Sequence, residues 1–188
     1  MKAARFLVGA SAIAASSALL MPSAAVADHH RTGHWNRNYP TVTAVAQVYF
    51  EDFTGSAWPV YSSVLAWDDR PGYIRPYYKS AGTCNNSVVH CVPVRTQNIG
   101  SAYYGGVYSY TLGTNGHFKH GSASITYNTY YSYGDNLRRE IVCHEIGHAM
   151  GPIGDGTNYT GTCMKPGSPY DFGPNGHDYD LLENGYNH

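Results

Sequence analysis

The sequence predicts an α+β domain. Short stretches rich in Val, Thr and aromatic residues recur between turn residues, as half-buried strands require. Helical spacing of apolar residues is confined to a few segments, and the chain from Gly151 to Pro174 is rich in Gly, Pro and Asn. Only 13 % of residues are charged, against 18 Tyr and 21 Gly, which suits strands and ordered loops better than a helical bundle.

The chain opens on an export signal. Lys2 and Arg5 precede a mostly apolar run from Phe6 to Leu20, and Ala25-Val26-Ala27 offers the small-x-small pattern of a signal-peptidase site. Residues 1–27 are therefore expected to be a signal peptide cleaved near Ala27, leaving a secreted protein that begins at Asp28. The run is short and interrupted by Ser and Gly, which argues against a membrane anchor. Asp28 to Pro40 is polar and His-rich without a hydrophobic period, and is expected to be a mobile segment. A free amine followed by His29 and His30 would offer copper(II) or nickel(II) a square-planar set; a solvated tail is the plainer reading.

Residues 41–188 carry the domain. Thr41 to Phe50 forms the first strand. Thr54 to Asp69 is helical, with Pro59 in a first-turn position and Val60/Val64 and Tyr61/Leu65 one turn apart. Tyr73 to Lys79 is a second strand, which Pro76 pushes toward a sheet edge. Val92 to Gln97 and Ala102 to Thr111 form a hairpin or an edge ribbon. The turn at Thr114-Asn115-Gly116 leads into a strand from Ser122 to Tyr130, where Ile and Tyr alternate. Asp135 or Asn136 caps a helix running from Leu137 to Met150. A short last helix starts near Asn175, with Asp178 placed as in a capping box and Tyr179, Leu181 and Leu182 as its apolar residues.

Bulk properties narrow the function. About 160 residues remain after the signal, enough for one domain with a sizeable core. The formal net charge is −1 and falls further once Lys2 and Arg5 leave, so nothing basic recruits nucleic acid. Four cysteines, an even number in an exported chain, argue for two disulfides. Of the three pairings we favour Cys84–Cys91, closing a short loop, and Cys143–Cys163, bracketing the helix that ends at Met150. Free or metal-ligating Cys143 and Cys163 are the alternative.

That helix carries His144-Glu145-Ile146-Gly147-His148. Four residues advance a helix by about 400°, so His144 and His148 stand about 40° apart, one turn from each other. Two imidazoles so placed can share one tetrahedral zinc ion. Glu145 is turned by about 100° to the flank, where its carboxylate can take a proton from a zinc-activated water without becoming a ligand. Two ordinary helix histidines are the competing reading. Gly151, directly after the helix, suits the left-handed turn that would bring a third ligand back.

In His144, Glu145, His148 and Gly151 the sequence resembles the metzincin metalloproteases, whose motif His-Glu-x-x-His-x-x-Gly-x-x-His precedes a Met-turn. The resemblance implies a metzincin-like fold: a twisted mixed sheet with two helices in the N-terminal half, the active-site helix, and an irregular C-terminal part ending in a short helix. It implies that Met164, beside Cys163, is the Met-turn residue beneath the histidines. Gly154 stands where the third ligand belongs, and Asp155 follows one residue later; an Asp in this role resembles the small secreted neutral proteases of the snapalysin type. His177, Asp178 and Glu183 are the next candidates, Glu183 in the manner of a gluzincin. The resemblance also implies that Ser122 to Asn128 is the edge strand on which an extended peptide lies, and that Tyr170 lines the primed side of the cleft or bonds the oxyanion. A second metal site at His117 and His120, which flank Phe118, is weighed against plain surface histidines. The expected activity is a monomeric zinc endopeptidase acting on proteins or peptides, with Glu145 as general base; nothing indicates calcium. The alternative is an extracellular Tyr-rich binding module with a structural, non-catalytic metal.

Overall fold

Alternation of Ala46, Val48 and Phe50 with Gln47, Tyr49 and Glu51 gives the first strand one apolar face and one polar face, and the whole sheet inherits that division. The computed structural model describes residues 33–37, 45–70, 72–156, 160–167 and 170–187. In chain order the elements are β1 (Ala46–Asp52), α1 (Val60–Trp67), β2 (Ile74–Ser80), β3 (His90–Gln97), β4 (Gly106–Ser109), β5 (Ser124–Asn128), α2 (Asp135–Met150) and α3 (Gly176–Tyr186). The expected signal peptide and the His29/His30 metal set lie outside the described residues.

The five strands lie in the order β2-β1-β3-β5-β4. Four run parallel, and β4 closes one edge antiparallel to β5. Strand β1, helix α1 and strand β2 form a crossover unit, the connection that parallel neighbours need. Val48, Phe50, Val92, Val94, Ile125 and Tyr127 share one face and are buried. Helices α1 and α2 pack on that face and on each other. Tyr49 and Tyr77 stack on the opposite face beside Arg75 and Lys79, where the side chains are only part-covered or exposed.

Strand β2 lies at an edge, as Pro76 requires. Pro93 sits in an interior strand, which proline normally avoids; the ladder from β3 to β5 begins one residue later, at Val94. Three expectations are corrected. Strands β3 and β4 do not pair as a hairpin: β5 inserts between them, because β4 finds its antiparallel partner in the strand that follows it. For the same reason Ser122 to Asn128 is no edge; β5 is interior and β4 is the edge. Among the described residues one helix, not two, precedes α2, since the Val- and Tyr-rich chain after α1 is taken up by strands.

Both disulfides, Cys84–Cys91 and Cys143–Cys163, are formed. No helix among the described residues is long and apolar enough to cross a membrane. Residues 33–37, expected to belong to a mobile segment, are instead docked. Trp35 is fully buried, its Nε1–H donating to the Ala149 carbonyl at 2.7 Å. Its backbone N–H donates to the Tyr186 hydroxyl at 3.0 Å, and that hydroxyl donates to the Met150 carbonyl at 2.7 Å. The orphan carbonyls at the end of α2 are thus satisfied by an indole and a phenol from distant parts of the chain.

Candidate metal centre

Helix α2 begins without a side-chain cap. Gly134 takes the cap position, and Asp135, expected there, lies in the first turn with its carboxylate paired to Arg138. An acid in the first turn still favours the helix through the macrodipole. From Glu140 to Met150 every residue but His144 is buried, so this half of the helix runs through the protein's interior. Trp67 of α1 donates its indole N–H to the Cys143 carbonyl at 3.0 Å, fixing the two helices to each other.

The two histidines meet where one turn of helix puts them. Their Nε2 atoms are 3.0 Å apart. Each ring is oriented from behind: His144 Nδ1 lies 2.9 Å from the Cys163 carbonyl, and His148 Nδ1 lies 2.9 Å from the Ile153 carbonyl. A carbonyl only accepts, so each Nδ1 carries the proton and each Nε2 lone pair is left for an ion.

Asp155 completes the group. Its Oδ1 is 3.3 Å from His144 Nε2 and 3.1 Å from His148 Nε2. The turn that delivers it starts at Gly151, whose φ of 155° is open to glycine and strained for other residues. A Cβ there would also stand 2.9 Å from the Tyr186 ring. Within this turn the Ile153 side chain is fully buried while its carbonyl holds His148.

His144, His148 and Asp155 form the single group of three or more such side chains, among the described residues, that is close enough to share an ion. A tetrahedral shell with bonds of about 2.0–2.1 Å has edges of about 3.3 Å, close to the separations of the three donors. Two imidazoles and a carboxylate suit zinc or another borderline transition ion. The residues therefore fit a metal.

With no ion bound, the same atoms titrate as a cluster. Burial pulls the His144 pKa down, but the hydrogen bond to Asp155, the charge of Glu145 and the Cys163 carbonyl outweigh it and raise it to about 9. Hydrogen bonds from His144 and His148 hold the Asp155 carboxyl far below the usual carboxylate range, against the opposing effect of its partial burial.

Met164 is fully buried under the helix. A Cβ on Gly147 would stand 2.3 Å from its Sδ and 2.4 Å from Trp67, so only a bare backbone lets sulfur and indole reach the helix between the two histidines. The segment around Met164 is anchored on three sides. Cys163 is bonded to Cys143, and its N–H donates to the Gly173 carbonyl at 2.9 Å. The Met164 N–H donates to Thr162 Oγ1 at 3.0 Å, and that hydroxyl donates to Asp178. Asp178 also accepts from the Asn175 N–H at 2.8 Å, completing the capping box of α3.

Asp178, considered above as a ligand, is thus a buried anchor for the Met164 segment. His177 and Glu183 stand outside the triad, Glu183 bordering a separate cavity with Arg70 and Leu182. The second metal site at His117 and His120 does not form: the ring of His117 lies against His34 and that of His120 against His90. Phe118, between them in sequence, is buried.

Glu145 is buried on the flank of α2, against the edge strand β4. A Cβ on Gly106 would come within 2.8 Å of its Cγ, so the missing side chain makes the space that Glu145 occupies. Tyr127, the cross-strand partner of Gly106, shares that face; burial first, then the charges of Glu145 and Asp52, hold its hydroxyl well above the usual tyrosine pKa. A cavity of about 80 Å³ opens beside His144 and Glu145, bordered by Glu140 and Ile141 of α2, by Tyr104 to Gly106, and by Pro166 and Gly167. Tyr170 does not line it; 77 % exposed, its ring projects into solvent.

Sequence reasoning missed Gly106, Thr162 and Glu140. Gly105-Gly106 inside the strand expected from Ala102 to Thr111 was the available signal, since glycines in a strand interior imply close approach. No protein-family model matches the chain and no curated protein matches its sequence, so the residues and geometry of this centre are what a functional reading rests on.

Proposed function

We propose that the chain is a secreted zinc-dependent endopeptidase of the metzincin type, with His144, His148 and Asp155 as ligands, Glu145 as general base and Met164 as the Met-turn residue. The convergence of two Nε2 atoms and one carboxylate oxygen beside a non-ligating, buried glutamate carries this reading. Bound there, zinc would supply Lewis acidity, activating water and polarising a carbonyl. Glu145 takes a proton from the attacking water and delivers it to the leaving amine. The Cys163 and Ile153 carbonyls keep the imidazoles oriented throughout. Strand β4, which ends the sheet among the described residues, offers an extended peptide a ladder beside the site.

A structural metal in a Tyr-rich binding module would call for a closed four-ligand shell. Only three donors gather among the described residues, and His144 and Asp155 keep part of their surface open, which favours catalysis. The decisive experiment measures zinc and casein hydrolysis together. The wild type is expected to hold about one zinc and to lose hydrolysis with a chelator. Glu145→Gln should keep the zinc and lose turnover by about 10²–10⁴-fold. Equal turnover by that variant would refute the mechanism, and zinc without hydrolysis in the wild type would favour the binding module.

A further inference from the structure

Tyrosines cluster on one side of the metal centre. Tyr104 borders the cavity beside His144 and Glu145, and its ring packs against Tyr131 at 5.2 Å and Tyr133 at 5.5 Å between centroids. Tyr131 in turn meets Tyr130 at 4.9 Å, and Tyr133 meets Trp58 at 6.0 Å. Trp58, Tyr130, Tyr131, Tyr133 and Arg138 border a second, open cavity of about 350 Å³. One loop links the two spaces. Tyr133, in the wall of the second, accepts a hydrogen bond from the Gly105 N–H at 3.0 Å, and Gly105 borders the first.

These rings are held before anything binds. Tyr131 donates its hydroxyl to the Ser101 carbonyl at 2.8 Å, and Trp58 stacks on Tyr127 at 4.7 Å. Rings fixed in this way lose little conformational freedom when a ligand covers them. Yet Tyr130 is 53 % and Tyr104 63 % exposed, and contiguous aromatic surface left open marks a place of binding.

The walls set the chemistry of what enters. Among the described residues that border the second cavity none is an Asp or Glu, and Arg138 would repel a basic side chain. That guanidinium is already paired with Asp135, which leaves an acidic side chain little to gain. The ring faces and edges remain. The four ring pairs above meet at 60° to 81°, the edge-to-face arrangement that one more aromatic ring extends. A volume of about 350 Å³ lies in the range of sites that enclose a ligand group. Tyr104 stands two positions before Gly106, the residue packed on Glu145. A peptide extended along this edge therefore reaches the rings about 7 Å, or about two residues, from the bond being cleaved.

We propose that the tyrosine-lined cavity is a substrate subsite remote from the scissile bond, and that it takes an aromatic side chain of an extended peptide. This rests on the endopeptidase reading and adds a substrate class to it. Continuity with the metal centre through Tyr104 and Gly105 favours a peptide over a glycan as the occupant.

The test maps cleavage sites by mass spectrometry in digests of an unfolded protein. It compares wild type, Tyr130→Ala, Tyr130→Phe and Ser132→Trp, with zinc content measured for each to separate a lost subsite from a lost fold. In the wild type, Phe, Tyr and Trp should be enriched about tenfold at one fixed position about two to four residues from the cut. Tyr130→Ala should lower that enrichment, and Tyr130→Phe, which keeps the ring, should retain it. Ser132→Trp, which fills the cavity from an exposed position in its wall, should remove it. A parallel arm uses Glu145→Gln with a phenylalanine peptide, its alanine counterpart and a chito-oligosaccharide, read by calorimetry. The phenylalanine peptide should bind about tenfold more tightly than the alanine peptide, and Ser132→Trp added to Glu145→Gln should abolish the difference. Cleavage without an aromatic preference at a remote position, or a preference unchanged in both Tyr130→Ala and Ser132→Trp, overturns the subsite and leaves the protease intact. No cleavage together with phenylalanine-selective binding removes the protease and leaves an aromatic-selective peptide site. Equal binding of the two peptides, or tighter binding of the oligosaccharide that Tyr130→Ala abolishes, overturns the proposal.

Discussion

His144, His148 and Asp155 hold their positions through carbonyls and a turn, so the charge state of the triad couples to both stability and metal uptake. In the metal-free protein His144 titrates at about 9, above its ordinary value of 6.5. A raised histidine contributes stability that is present in full below about 6.5 and is lost as pH rises through about 9. The depressed Asp155 carboxyl works in the opposite sense: its contribution is present above the ordinary carboxylate range and is lost only in strong acid. The melting temperature of the metal-free protein should therefore fall between pH 7 and pH 10, and Asp155→Asn should flatten that fall. Zinc needs the neutral imidazole, so uptake at pH 7 should release a proton. Calorimetry in two buffers of different ionisation enthalpy would detect it; a heat independent of buffer would contradict the assignment. The motif residues were legible in the sequence because helical geometry alone brings His144 near His148. Asp155 was legible only through the resemblance, because its approach to the two histidines depends on the turn after Gly151. The paired glycines at Gly105 and Gly106 hinted at a close approach but not at its partner, since the side chain Gly106 makes room for comes from 39 positions further along the chain.

Helix α2 is held by its neighbours more than by its own sequence. It lacks an N-terminal side-chain cap, and its last turn depends on Trp35 and Tyr186. The Cys143–Cys163 bond ties the helix to the segment carrying Met164, next to His144. Replacing both cysteines by serine should cost about 3 kcal/mol by loop entropy, a model-dependent figure, measured by urea denaturation. Zinc affinity should fall as well, because the Cys163 carbonyl that orients His144 would lose its tether. Replacing Cys84 and Cys91 should leave zinc affinity unchanged, as that loop lies outside the triad and the cavity. The capping box at Asn175 and Asp178 was foreseen from the sequence and is present. Its additional use was not: Asp178 also receives the Thr162 hydroxyl, which makes α3 part of the support for Met164.

Across the described molecule, the segment carrying Trp35 and helix α3 meet behind the site. Trp35 from the N-terminal side and Tyr186 from α3 close over the C-terminal end of α2, with Gly151 packed against the same phenol. Burial raises the pKa of the Tyr186 hydroxyl well above the usual range. Trp35→Ala should cost about 3–5 kcal/mol in urea denaturation, a large part of a typical domain's stability. Trp35→Phe, which keeps a ring and loses the bond to Ala149, should cost less, by a margin that includes about 1 kcal/mol for the hydrogen bond. Equal small losses in both would mean that the segment does not brace the helix.

The sequence by itself determined the α+β class, the edge position of β2, the expectation of two disulfides though not their pairing, the capping box and the spacing of His144, Glu145 and His148. Each follows from local chemistry: side-chain alternation, a proline without an N–H, an even cysteine count, a cap, one turn of helix. Only the tertiary structure decided that β5 lies inside the sheet and β4 at its edge, that Trp35 docks, that Glu145 rests on Gly106, and that Glu140 borders the cavity. Those features depend on which distant segments pack together, and packing is fixed by the fit of whole surfaces rather than by any short run of residues.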